Sequence, residues 1–143
     1  GGVLDLSSND NTINVDGGGG GGRLLDYQDS TALDATGTTL ALDGGALAHD
    51  FAIEDAIDHA LDNAAYGLVT WVPGNVYVTT NTLGIQRGID LATAGGTVNV
   101  DDGTYTEDLV VNRANLTIQS ANGRDQTTIQ LVDSVGIEGV EVG

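Results

Sequence analysis

The apolar residues change their spacing between residues 85 and 131. Ile85, Ile89 and Ala92 recur at three- to four-residue intervals, which places them on one face of a short amphipathic helix. We expect Gly95-Gly96 to end this helix, because glycine is common just after a helix. Val98 and Val100 then alternate with polar residues, as in a β-strand. The pattern therefore predicts a helix over about 84–94 that leads into strands.

Three more short strands are predicted after this one. The turn Asp101-Asp102-Gly103 ends the first strand, and Gly, Asn and Asp residues separate the others. Strands of three or four residues are not stable alone, so they must stack on neighbours. The predicted strands are Leu109-Val110-Val111, Leu116-Thr117-Ile118 and Thr128-Ile129-Gln130-Leu131.

Residues 85–131 resemble the start of right-handed parallel β-helix domains of the pectin lyase-like superfamily, which occur in large secreted surface and adhesin-type proteins. The resemblance implies a mainly β fold of the parallel β-helix, or β-solenoid, type in which the helix at 84–94 caps the first rung. It implies no catalytic residue here, because polysaccharide lyases and esterases of this fold carry theirs on later rungs. It rests on the helix Ile85-Gln86-Arg87-Gly88-Ile89-Asp90, the pattern Gly95-Gly96-Thr97-Val98-Asn99-Val100, the turn Gly103-Thr104-Tyr105 and the segment Asn115-Leu116-Thr117-Ile118.

The chain before residue 84 divides into two regions. Residues 49–83 predict a helix over about 51–63, with Asp50 as N-cap and Glu54 on the polar face. A β-hairpin-like unit follows, with strands at 69–72 and 75–79 around the Pro73-Gly74 turn. Residues 1–48 form a Gly- and Asp-rich β-strand region, and residues 84–143 the helix-capped start of the solenoid. In residues 1–48 we predict strands at 3–6, 12–15, 24–27 and 39–42, with the glycines at 17–22 in a loop.

The charge balance argues against nucleic acid as a partner. The chain has 21 acidic residues but a total of four basic residues, Lys and Arg counted together, which gives a net charge of −17. This charge repels phosphate backbones and anionic membranes. No apolar run approaches the ~20 residues that a membrane span requires. With one Trp, one Phe and no Met or Cys, the core must be built from aliphatic residues.

Acidic turns offer oxygen ligands for Ca²⁺, and no other cofactor is predicted. None of these turns has the D-x-D-x-D-G spacing of a calcium loop, and Asp and Asn are also ordinary turn residues. Calcium binding and simple turn formation therefore both fit the pattern. The candidate ligands are Asp10, Asp16, Asp101 and Asp102.

The histidines and aromatic residues suggest little chemistry. His49 and His59 are too far out of phase to share a helical face, so we expect surface or capping residues and no metal pair. Trp71 and Tyr77 could stack on glycan rings, or they could fill the core. No G-x-S-x-G motif is present, and Arg23 follows the glycine run where a phosphate-binding loop needs Lys. We therefore predict that the chain is not an enzyme.

The sequence favours a non-enzymatic structural subunit of an extracellular filament or cell-surface assembly. Val140, Glu141 and Val142 alternate like a strand, and an unpaired strand would pair head-to-tail with another copy of the chain. The alternatives are a glycan- or Ca²⁺-binding adhesin-like module and a non-catalytic fragment of a β-helix polysaccharide-active enzyme. Because the chain begins Gly1-Gly2 without a signal peptide, we expect a processed subunit or a fragment.

Overall fold

The computed structural model of the chain describes residues 12–15, 23–42 and 44–132, with residues 12–15 as backbone only. These residues are mainly β with two short helices, as the sequence predicts. The predicted strands at 3–6 and at Val140, Glu141 and Val142 lie outside the described residues. In chain order the elements are β1 (Thr12–Val15), β2 (Leu25–Asp26), β3 (Leu33–Asp34), β4 (Thr39–Leu42), β5 (Gly45–Ala46), α1 (Asp50–Ala56), β6 (Ile57–Asp58), β7 (Val69–Thr70), β8 (Asn75–Val78), α2 (Ile85–Leu91), β9 (Thr97–Val100), β10 (Gly103–Thr106), β11 (Thr117–Ser120) and β12 (Thr127–Gln130).

Most strand pairs in the described residues are parallel. β8, β9 and β11 form a sheet in which Asn75 lies opposite Thr97, and Thr97 opposite Thr117. β10 pairs with β12 beside this sheet, and we call these five strands the C-terminal stack. The earlier parallel pairs are β1 with β4, β2 with β6 and β3 with β7, and β4 also pairs antiparallel with β5. Strand pairs therefore cross both of the predicted region boundaries.

Helix α1 is shorter than its apolar periodicity predicts. It ends at Ala56, not near residue 63, because the next two residues form β6 and pair with Leu25–Asp26. The backbone N–H of Leu24 donates to the carbonyl of Ala56 at 2.6 Å, which extends this pairing to the helix end. Tertiary strand pairing thus overrides local helical preference.

The N-cap of α1 is His49, not Asp50 as predicted. The Nδ1 atom of His49 accepts a hydrogen bond from the Ala52 N–H at 3.2 Å, so this histidine has the capping role that was one of its two expected roles. Asp50 is the first helical residue, and its carboxylate accepts from the indole N–H of Trp71 at 3.0 Å.

The two strands beside Pro73-Gly74 do not form the predicted hairpin. β7 pairs with β3, whereas β8 pairs with β9. A Pro-Gly turn can join two strands that do not pair with each other. Here the strands before and after the turn belong to different sheets.

Helix α2 packs directly on the C-terminal stack. Ile85, Ile89 and Ala92 are buried, as their spacing predicts. A Cβ atom at Gly88 would lie 2.6 Å from Val78 and 3.0 Å from Val98, so only glycine permits this close approach of helix and sheet. The buried apolar core on this side consists of Leu61, Val76, Val78, Ile85, Ile89, Ala92, Val98, Val100 and Tyr105.

The start of α2 is fixed by a carboxylate from a distant part of the chain. Glu107 follows β10, and its two oxygens accept from the N–H groups of Ile85 and Gln86 at 2.7 and 2.8 Å. These are backbone donors that the helix itself leaves without a partner. Glu107 therefore joins the corner after β10 to the helix and stabilises both.

Two predictions for the segment after β9 are wrong. Leu109-Val110-Val111 is not a strand, because the backbone N–H and carbonyl of Val110 bond to the side chain of Gln86 on α2. Gly103-Thr104-Tyr105 was expected to form a turn, but these residues belong to β10. The Tyr105 hydroxyl donates to the carbonyl of Asp101 at 3.1 Å, and burial raises the pKa of Tyr105 to about 12.

Candidate functional site at the end of the C-terminal stack

A row of amide side chains crosses the three strands of the main sheet. The Nδ2 atom of Asn99 on β9 donates to Oδ1 of Asn75 on β8 at 3.0 Å. The Nε2 atom of Gln119 on β11 in turn donates to Oδ1 of Asn99 at 2.7 Å. Each strand thus passes one hydrogen bond to its predecessor, and cross-strand pairs of this kind hold the register of a sheet.

Apolar burial falls sharply at the last strands of the C-terminal stack. On β9, Val98 is fully buried, whereas Ile118, opposite it on β11, is only half-buried. On β10, Tyr105 is 5% exposed, whereas Ile129, opposite it on β12, is 46% exposed. These positions share one face of the stack, so the difference arises because the described residues place no further layer over β11 and β12.

The uncovered positions line a shallow cleft of about 280 Å³. Ile118 and Ile129 contribute apolar side chains to it, with Val100 beneath them. Ser120 and Thr127 contribute hydroxyl groups that bond to each other at 2.8 Å and hold β11 beside β12. Leu131 and Val132, just after β12, are 78% and 50% exposed. Together β11, β12 and residues 131–132 form the surface that we call the stack end.

Within the described part of the chain, β11 and β12 each have one backbone edge that pairs with no strand. Among the described strands, β11 pairs only with β9, and β12 only with β10. The N–H groups of Thr117 and Ala121 point towards β9, where they donate to the carbonyls of Gly96 and Val100. Because successive N–H groups along a strand alternate in direction, those of Ile118 and Ser120 point away from β9. The stack end therefore offers both apolar surface and a strand edge.

The predicted calcium ligands are not brought together in the described residues. Asp10 and Asp16 lie outside them. Both carboxylate oxygens of Asp102 accept from Nδ2 of Asn122, at 3.1 and 3.0 Å, and this bond ties the β9–β10 corner to the β11–β12 corner. Asp101 contributes its backbone carbonyl to Tyr105 and Thr127. Calcium binding at these turns stays a prediction.

Trp71 and Tyr77 lie together, but they stack on each other. Their ring centroids are 5.3 Å apart and the rings are inclined by 16°, while Phe51 of α1 contacts Tyr77 edge-on at 5.6 Å. Tyr77 is buried, and this burial together with the Asp50 carboxylate raises its pKa well above the ordinary value. The aromatic cluster therefore fastens α1 to β8, and glycan stacking stays a prediction for the half-buried Trp71.

A buried group that the sequence analysis did not find lies beneath this cluster. Glu54, expected on the polar face of α1, is 1% exposed, and His59, expected on the surface or at a cap, is fully buried. Nε2 of His59 lies 2.9 Å from Oε1 of Glu54, and Asp62 accepts from the His59 backbone N–H at 3.0 Å. Spacing did not reveal the pair, because His59 lies beyond the end of the helix that carries Glu54.

The three side chains of this group lie close enough to surround a metal ion. Their potential ligand atoms are all within 4.8 Å of one another. However, the Val69 N–H donates to Nδ1 of His59 at 3.0 Å, so in the neutral imidazole the proton is on Nε2. That proton points at Glu54, which leaves His59 without a lone pair for a cation. The geometry therefore favours a hydrogen-bonded pair over a metal centre.

Comparison with protein-family models, curated proteins and solved structures found no match to this chain. In the described residues, neither helix is long and apolar enough to cross a membrane.

Proposed function

We propose that this chain is a non-enzymatic structural subunit whose stack end binds a second copy of the chain in an extracellular filament or cell-surface assembly. The observation that carries the proposal is the difference in side-chain exposure between opposite residues. Ile129 is more exposed than Tyr105, and Ile118 is more exposed than Val98. A further strand layer would bury these side chains and pair the edges of β11 and β12 that no described strand occupies. Burial of apolar area contributes about 25 cal/mol per Å².

The proposal includes a β-solenoid architecture. In the C-terminal stack, parallel strands return to the same column after about 20 to 24 residues, which lies at the short end of the solenoid repeat range. The resemblance of residues 85–131 to parallel β-helix domains implies the same architecture, the capping role of α2 and the secreted setting. In a solenoid each layer contacts only its neighbours, so a stack end that no other described residue covers favours growth by addition of another copy.

The amide row indicates how an added strand would be aligned. Gln119 donates to Asn99, and its own carbonyl oxygen is then available to an amide or hydroxyl on the next strand. A shift of one residue would turn the apolar side chains of an added strand away from the core. The added strand must therefore align both its polar and its apolar positions with those of β11. Gln119 and Ile118 therefore define the register of the contact.

Net charge opposes this assembly and gives it a salt dependence. At −17, two copies repel each other, and the Debye length falls from about 10 Å at 0.1 M salt to about 3 Å at 1 M. We expect association to strengthen as salt is raised, because screening removes the repulsion while apolar contact at the stack end persists.

We predict that Ile129→Asp disperses the assembly. A carboxylate at the centre of the stack end would be buried without a partner, which costs several kcal/mol in a contact between copies. The same side chain is nearly half exposed in the single chain, so the free energy of unfolding should change little. Sedimentation velocity at about 1 M NaCl should show large species for the wild-type chain and single chains for the variant.

Thr128→Asp is the matched control for this experiment. Thr128 is exposed on the opposite face of β12, so the substitution adds the same charge without entering the cleft. This control should assemble like the wild-type chain. Equal assembly of both variants, or dispersal of both, would contradict the assignment of the contact to the stack end.

A further inference from the structure

The buried pair Glu54–His59 is asymmetric in its hydrogen bonding. Oε1 of Glu54 accepts from Nε2–H of His59, whereas Oε2 has no hydrogen-bond partner within the described part of the chain. Both side chains are almost fully buried. A buried carboxylate with one donor is poorly stabilised, because charge removed from water needs several hydrogen bonds or a cation.

The Val69 N–H fixes which ring nitrogen of His59 accepts a hydrogen bond and which donates one. The Val69 N–H points at Nδ1, so a second proton on the ring would place two N–H groups face to face at 3.0 Å. The imidazole therefore cannot become the cation that would balance a charged Glu54 without breaking its bond to β7. A proton taken up by this pair is consequently expected on Glu54.

Burial acts to raise the pKa of Glu54 and the hydrogen bond from His59 acts to lower it, while the nearby carboxylates act in the same direction as burial. Asp55 beside it and Asp62 beyond α1 both act to raise its pKa, and Asp62 has a raised pKa of its own because of burial. The Arg23 guanidinium pairs with Asp58 at 2.5 Å. Burial is the largest effect and raises the pKa of Glu54 from 4.5 to about 7.

We propose that Glu54 is a proton-operated latch, which holds α1 against β7 when protonated and loosens this contact when it releases its proton. The charged carboxylate gains by reaching water, and any movement towards water breaks its bond to His59. His59 then loses the orientation that accepts the Val69 N–H. Because α1 also carries Phe51 and Asp50, loosening the helix uncovers the aromatic cluster of Trp71 and Tyr77.

The direction of the pH effect follows from the raised pKa. A group whose pKa is higher in the folded chain than in the unfolded chain stabilises the fold at pH values below its pKa in the unfolded chain. Its contribution is present below about pH 4.5 and is lost as the pH rises through about 7. From Glu54 alone, we expect the folding equilibrium constant to fall roughly 100-fold between about pH 5 and pH 8.

Trp71 provides a direct measurement because it is the single tryptophan of the chain, and its ring lies 6.3 Å from that of His59. Fluorescence of Trp71 and the ¹³C shift of the Glu54 carboxyl group should both change with a midpoint near pH 7. Glu54→Gln, which keeps the shape of the protonated acid, should abolish the fluorescence transition. Asp125→Asn, which removes an exposed carboxylate, should leave it unchanged.

A measurement on the wild-type chain covers the case in which Glu54→Gln fails to fold. The hydrogen-exchange protection factor of the Val69 amide, corrected for intrinsic exchange, should fall at least about tenfold from pH 5 to pH 8 as the bond to His59 is lost. A Glu54 carboxyl group that titrates near its ordinary 4.5 would overturn the proposal. Unchanged Val69 protection across pH 7, or a fluorescence transition that persists in Glu54→Gln, would overturn it equally.

Discussion

Gly67→Ala is expected to lower the free energy of unfolding by about 3 kcal/mol or more, the upper end of what overpacking costs. A Cβ atom at this position would lie 1.7 Å from the carbonyl oxygen of Thr31, which is backbone and cannot rotate away. Thr31 is itself held by bonds from its N–H and hydroxyl to Asp29, both 2.8 Å long. To relieve the clash, the loop before β3 and the segment that leads into β7 must move apart.

Urea unfolding followed by circular dichroism measures this effect, with Gly45→Ala as control. Gly45 has its nearest contact, with the Leu42 carbonyl, at 3.7 Å, so an added methyl group fits there. We expect the control to stay within about 0.5 kcal/mol of the wild-type chain. Equal stability of the two variants would mean that Gly67 and Thr31 are not packed together as described.

Gly88→Ala is expected to destabilise the C-terminal stack by about 2 kcal/mol, although alanine favours a helix by about 1 kcal/mol over glycine. The added methyl group would lie 2.6 Å from a methyl carbon of Val78 and 3.0 Å from one of Val98. Both valines are fully buried and have little freedom to move. The helix must therefore move away from β8 and β9.

A double-mutant cycle with Val78→Ala isolates this contact. Val78→Ala alone leaves a cavity beside Gly88, and the methyl group of Gly88→Ala would fill part of it. We expect the double variant to be more stable than the sum of the two single effects by at least about 1 kcal/mol. Additive effects in urea unfolding would show that α2 does not contact β8 at Gly88.

Much of the secondary structure could be predicted from the sequence, because it follows local rules. The apolar spacing of Ile85, Ile89 and Ala92 places α2, and the alternation around Val98 and Val100 places β9. The structure confirms both elements, with α2 ending at Leu91, before the predicted end near residue 94. In α2 and in β9, the buried apolar positions recur at the interval expected for a helix and for a strand respectively.

Most of the wrong predictions have one physical cause, which is that distant groups replace local partners. The N-cap of α1 is the exception, because His49 caps the helix in place of the adjacent Asp50. α1 ends early because β2 pairs with the chain after Ala56. Val110 is not in a strand because Gln86 satisfies its backbone groups. No sequence spacing reveals such contacts, since the partners are 24 or more residues apart.

The candidate site also depends on contacts that the sequence does not reveal. The sequence predicts self-association through a strand end, and it places that contact at Val140, Glu141 and Val142, which lie outside the described residues. The stack end was not found, because Ile129 looks like any apolar strand residue until its neighbour Tyr105 is seen to be covered. The Glu54–His59 pair was hidden by the assignment of Glu54 to a polar helix face.

Residue-resolved hydrogen exchange on β11 tests the proposed contact most directly. Assembled wild-type chain and dispersed Ile129→Asp would be compared under the same conditions at about 1 M NaCl, where charge repulsion is screened. We expect at least about tenfold stronger protection of the Ile118 and Ser120 amides in the assembly, with little change at Gln119, whose N–H already points towards β9. Equal exchange of Ile118 and Ser120 in the two samples would contradict strand addition at the stack end.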